Sequence, residues 1–186
     1  EEYNMNFAEH VIRPGYENTC AWLSEVAKHF GLERETETLI KEIHREFLYR
    51  MDMLRPKLKG CPVYLLSMHK DIDWIMEVIK STDMVVQRAL VIDRSDYSND
   101  FRIQSRYPEV ECISEYDLET IKKDILEKSP KLLLVPSSIH LDKRIEKCYI
   151  PLVPDVGPMS GADFAEQWIR MMSAPAEEGW RKDAIQ

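Results

Sequence analysis

Two histidines stand where an apolar run gives way to a polar loop. His69 follows Pro62-Val-Tyr-Leu-Leu66 in the stretch Ser67-Met-His-Lys70, and His140 follows Lys131-Leu-Leu-Leu-Val135 in Pro136-Ser-Ser-Ile-His140. Neutral imidazole can donate, accept or coordinate, so either residue suits a ligand contact or a proton relay. Ser67, Ser137 and Ser138 place hydroxyls beside them. A third loop, from Pro154 to Gly161, brings the carboxylate of Asp155 and the backbone freedom of Gly157. Asp155 has no obvious structural duty, whereas Ser160 and Gly161 read as helix-entry residues. The plain alternative is a solvated loop for the first, ordinary turn residues for the second and helix-entry chemistry for the third. A helix start after Lys70 would favour an anion. However, the chain has no GxGxxG or Walker pattern, and a Ser and a His so close in sequence do not make a nucleophile–base–orienter triad.

The elements that would carry these loops can be read from periodicity. Pro14-Gly15 makes a turn, and Asn18 or Thr19 can cap a helix with the stripe Trp22, Leu23, Val26, Ala27 and Phe30, stopped by Gly31. A longer helix carries Leu39, Ile40, Ile43, Phe47, Leu48, Met51 and Leu54, with Pro56 just past its end. After Gly60 the pattern switches to strand–helix alternation. Strand cores are expected at 62–66, 89–92, 110–113, 131–135 and 150–153. Helices are expected with Ile72, Ile75, Met76 and Ile79, with Leu118, Ile121 and Ile125, and around Trp168. Pro151 cannot donate to a ladder, which puts the last strand at an edge. The alternation predicts an α/β fold: a three-layer, Rossmann-like or flavodoxin-like parallel sheet of about five strands with an N-terminal helical appendage. The units are 1–59, helical; 60–172, α/β; and 173–186, a tail. Trp22 and Trp168, each on an apolar helical face, are expected to be buried. In a parallel sheet all strands end on one edge, so loops 67–70, 136–140 and 154–161 are expected to converge on one crevice there.

Composition excludes several classes. A net charge of −8 over 186 residues argues against nucleic acid as the main partner, since phosphate binding needs a basic face. No apolar run approaches a membrane span. The first residue is Glu rather than Met, so the chain is expected to be a piece of a longer protein. Cys20, Cys61, Cys112 and Cys148 are widely separated with no CxxC. This spacing points to a reduced cytoplasmic protein and against a metal site made by this stretch alone. His10, His29 and His44 lie in helical or terminal context and are expected at the surface. Asp93–Asp100 reads as a solvated loop or an interface, and residues 101–107 carry no clear pattern.

Several stretches taken in order resemble the C-terminal Rossmann-like domain of the nitrogenase component 1 family. They are Arg13-Pro-Gly-Tyr-Glu-Asn-Thr-Cys-Ala-Trp-Leu23, Leu58-Lys-Gly-Cys-Pro-Val-Tyr-Leu-Leu66, Ser129-Pro-Lys-Leu-Leu-Leu-Val-Pro-Ser-Ser138 and Ile150-Pro-Leu-Val-Pro-Asp-Val-Gly157. The resemblance covers about residues 12–172, and order and spacing carry it. It implies a cytoplasmic, multi-domain oxidoreductase in which this chain pairs with other domains of its subunit and with a paralogous subunit. Such a complex takes electrons from an ATP-driven iron protein and reduces a substrate at a metal or tetrapyrrole site. Any iron–sulfur or related cluster then belongs to the full-length protein, and this stretch by itself is expected to hold no cofactor and to be inactive. A second class stays open: a non-catalytic module of similar fold that binds a small molecule or metal chelate, or a scaffold for cofactor assembly.

Overall fold

The computed structural model describes residues 12–69, 71–92, 105–114, 116–136, 139–141, 145–151 and 153–173. In chain order the elements are α1 (Tyr16–Phe30), α2 (Glu33–Leu58), β1 (Pro62–Ser67), α3 (Asp73–Ser81), β2 (Val85–Ile92), β3 (Val110–Ile113), α4 (Leu118–Lys128), β4 (Leu132–Val135), β5 (Glu146–Tyr149) and α5 (Ser160–Ser173). The expected α/β architecture is present. Five strands form one parallel sheet in the order β3-β2-β1-β4-β5, the Rossmann sequence of neighbours.

The central strands are apolar because both of their faces are covered. Leu132–Val135 is buried throughout, as is β1 beyond Pro62. Alternate residues then feed two separate cores. Val63, Leu65, Ala89, Val91, Leu132 and Leu134 face α2, α3 and α5. Tyr64, Leu66, Leu90, Ile92, Leu133 and Val135 face Ile121 and Ile125 of α4. Each fully buried aliphatic side chain contributes roughly 1.5–3 kcal/mol. The two-sided arrangement follows from crossover hand. β1–α3–β2 steps one way along the sheet and β3–α4–β4 steps back, so crossovers of one hand place α3 and α4 on opposite faces. The β4–β5 connection is different. It runs only from 136 to 145 with no helix among its described residues, and Ile139 and Ile145 cover the sheet there instead.

The helices follow their expected stripes with some corrections. Phe47, Met51, Leu54 and Leu58 of α2 enter the same core as the sheet. Leu39 and Leu48 of its expected stripe are exposed: Leu39 lies in the N-terminal half of α2, which runs beyond the sheet core, and Leu48 lies off the buried face. Pro56 lies inside the last turn of α2 rather than beyond it; so close to the end, its missing N–H costs a single helical bond. Gly31 closes α1 in the left-handed conformation, as anticipated. The stripe on α1 is shallower than its periodicity suggests. Ala27 and Thr19 are buried, Trp22 is only half-buried, and Phe30 is 68% exposed. Trp168 is fully buried. His29 and His44 are exposed, while His10 lies outside the described residues.

The last strand is also displaced. It is Glu146–Tyr149 rather than Ile150–Val153. The ladder stops because Ile150 N–H is the last donor, to Val135 C=O at 2.8 Å, and Pro151 has none to give. Beyond it Val153 is 87% exposed. An edge strand that reads Glu-Lys-Cys-Tyr is unremarkable physically, since charge at an edge discourages further pairing. Residues Asp93–Asp100, 101–104 and 174–186 lie outside the described residues.

Candidate functional site

At the carboxyl edge of β1 a cleft of about 190 Å³ opens between the turn after β1 and the segment after β5. Ser67, His69 and Asp71 supply its polar groups. Trp74 and Ile72 of the α3 entrance, Ile150, Pro151 and Pro154 supply apolar walls, and Pro14 closes the side nearest α1.

Each polar group is positioned by its neighbours. Ser67 ends β1 fully buried. Its Oγ accepts from His69 N–H at 2.9 Å and donates to His69 C=O at 3.0 Å, which folds the chain tightly after the strand. That turn leaves the His69 side chain exposed above the cleft. Asp71 C=O accepts from Trp74 Nε1 at 3.2 Å, fixing the indole beneath it. Burial pushes the Asp71 carboxyl above its usual value, while the guanidinium of Arg13 at 3.8 Å works the other way. The half-buried Asp71 carboxyl and the His69 side chain therefore line one cleft at the end of β1.

The sequence-derived candidates separate here. Ser67 and His69 line the cleft, and the loop of Asp155 reaches it through Pro154. Asp155 itself is exposed and is not part of the lining. His140 is exposed and stands outside the cleft lining. Lys70, Ser137 and Ser138 lie outside the described residues. Gly157 has a mechanical duty. With φ at +123° it needs glycine, and its carbonyl accepts from Gly15 N–H at 3.2 Å and Ser160 Oγ at 3.0 Å. Arg13, Pro14, Asp71 and Trp74 were not singled out as site residues by sequence reasoning. The Pro-Gly turn was visible, but nothing local says that it crosses the sheet edge.

The donor set does not make a cluster site. Iron–sulfur ligation needs several closely placed thiolates. Among the described residues no three His, Cys, Asp or Glu side chains gather as metal ligands. Burial pushes the thiols of Cys20 and Cys61 up, and that of Cys148 up to about 11, which disfavours the thiolate that ligates metal. No helix among the described residues is long and apolar enough to cross a membrane.

Comparison with known proteins adds the family. No curated protein matches the chain. The model of the nitrogenase component 1 type oxidoreductases matches residues 1–168, nearly the whole chain and in keeping with its Rossmann-ordered sheet, and the chain belongs to that family.

Proposed function

We propose that the chain is the part of a nitrogenase-like oxidoreductase component that walls a metal-cluster or substrate cavity during electron-transfer-driven reduction. The cavity is completed by other domains of the subunit and a paralogous subunit, with electrons arriving from an ATP-driven iron protein. The observation that carries the reading is the cleft at the end of β1. It sits where parallel sheets hold ligands, carries the polar side chains of His69 and Asp71 against an apolar wall, and lies in a chain of this family. The α/β unit of residues 60–172 presents the wall, and the helices of 1–59 brace it. With no metal-ligand set among its described residues, the chain supplies shape, solvent exclusion and polar side chains, while cluster ligands come from elsewhere in the complex. Ser67, His69 and Asp71 are the contacts we assign to this wall, and Ser137, Ser138, His140 and Asp155 remain proposed ligand contacts of the completed cavity.

The test uses the full-length protein with its partners. His69→Ala and Asp71→Asn are expected to lower substrate reduction at least tenfold while bound iron stays constant. Unchanged turnover in both variants would remove the cleft from the cavity wall. A wild-type complex that binds a cluster or small molecule but reduces nothing under reductant and ATP would instead establish the binding or assembly module.

A further inference from the structure

We propose that residues 13–17 form a clasp closing one side of the cleft, and that Glu77, buried on α3, is the residue that positions it. α1 starts without a capping side chain of its own, although its first amides need acceptors. The acceptor comes from 60 residues away: the Glu77 carboxylate takes Tyr16 N–H at 2.8 Å through one oxygen and Glu17 N–H at 2.9 Å through the other. Glu77 is 4% exposed. Burial holds its carboxyl above the usual value, with the two backbone amides pulling the other way. A carboxylate at a helix N-terminus also meets the favourable end of the helix dipole.

The clasp has a second jaw. Gly15 N–H reaches both Ser160 Oγ at 2.9 Å and Gly157 C=O at 3.2 Å, so the turn before α1 is tied to the loop before α5. Between the jaws the chain passes so close to α3 that a Cβ on Gly15 would come within 2.7 Å of Trp74 Cβ and 3.1 Å of Glu77 Oε2. Pro14, adjacent to this seat, is a wall of the cleft, and Trp74 beneath it is another. Arg13 reaches Asp71 from the same segment. Releasing Tyr16 and Glu17 therefore withdraws Pro14 and Arg13 together and uncovers Trp74, leaving the sheet untouched. The two cores contain none of residues 13–15, and Tyr16 packs only on the margin of the larger one, its ring stacked on Phe47. The clasp closes the cleft whatever the cleft accommodates.

Glu77→Gln isolates the point. It keeps the shape but leaves one acceptor oxygen for two N–H groups, and it turns an amide donor toward the other. The readouts are amide hydrogen exchange by NMR and 19F NMR of 5-fluorotryptophan-labelled chain with a soluble gadolinium chelate. Amides 15–17 are expected to exchange at least ten times faster. The Trp74 resonance, assigned through Trp74→Phe, is expected to broaden with the chelate. Trp168, fully buried in the same core, and the amides of β1 and β4 should not change. Ser160→Ala, which opens the other jaw, should produce the same local pattern and serves if Glu77→Gln does not fold. Unaltered amides 15–17 and Trp74 would overturn the proposal. So would loosening of Trp168 and the sheet amides to the same degree, which would make Glu77 a general core residue.

Discussion

Gly161→Ala should destabilise the chain even though alanine is the better helix former. Gly161 lies in the first turn of α5, where that helix crosses α3. An added Cβ would sit 2.7 Å from Val78 Cγ2 and 2.8 Å from the carbonyl oxygen of Trp74. The second contact is backbone in mid-fold, so α5 has to move away. Overpacking of this kind costs about 1–3 kcal/mol, and the backbone clash puts it near the upper end. The helix-propensity gain returns at most about 1 kcal/mol, leaving a net loss of about 2 kcal/mol. For a chain of this size that is a fall in Tm of about 4–8 °C. Thermal and urea unfolding followed by circular dichroism measure it, with the urea midpoint lowered and the slope unchanged. Gly31→Ala is the contrast: no atom lies within 4 Å of its would-be Cβ, and the penalty is only that of its left-handed φ of +68°. A Gly161→Ala protein as stable as the wild type would show that close approach does not set the α3–α5 spacing.

Tyr64→Phe removes the hydroxyl that donates to Asp124 Oδ2 at 2.9 Å and should cost about 1 kcal/mol in denaturant unfolding. Burial alone would push the Asp124 carboxyl up, but Tyr64 and Arg88 outweigh it and hold it below its usual value. Its contribution is therefore complete above the unfolded value and is lost as pH falls through the folded one, so Asp124→Asn should flatten the stability–pH curve below about pH 4. Trp168→Ala should cost about 3–5 kcal/mol, and Trp22→Ala clearly less because that ring is half-buried; equal losses would contradict the burial. The double replacement of His69 and His140 by Ala should leave stability within about 0.5 kcal/mol, since both are exposed loop residues.

The architecture was legible because it rests on patterns that local chemistry enforces. Continuous apolar runs such as Leu132–Val135 occur where both sheet faces are covered, and the stripe of α5 and Phe47, Met51 and Leu54 of the α2 stripe met the core as expected. The misreadings have one cause: burial is decided by tertiary neighbours. Ile150-Pro-Leu-Val153 is more apolar than Glu146–Tyr149, yet the ladder formed on the polar segment, because hydrogen-bond donors end at Pro151. The stripe of α1 predicted a deep face, but α1 packs at the margin, where only Ala27 and Thr19 are buried.

The site was half legible for the same reason. Topology alone placed Ser67 and His69 at the edge where ligands are held, and they line the cleft. Pro14 met Asp71 and Trp74 only through the seating of α1 and α5 on α3, an event governed by two glycines and one buried carboxylate spread over 147 positions, Gly15 to Gly161. No window of sequence contains that event. It also explains why glycine is required at both ends. Gly15 lets the chain pass over Trp74, and Gly161 lets α5 approach the same turn of α3 from the other side. α3 is thus gripped on two flanks at Trp74, the residue that floors the cleft. A change at either glycine should reach the site through that indole before it reaches the sheet.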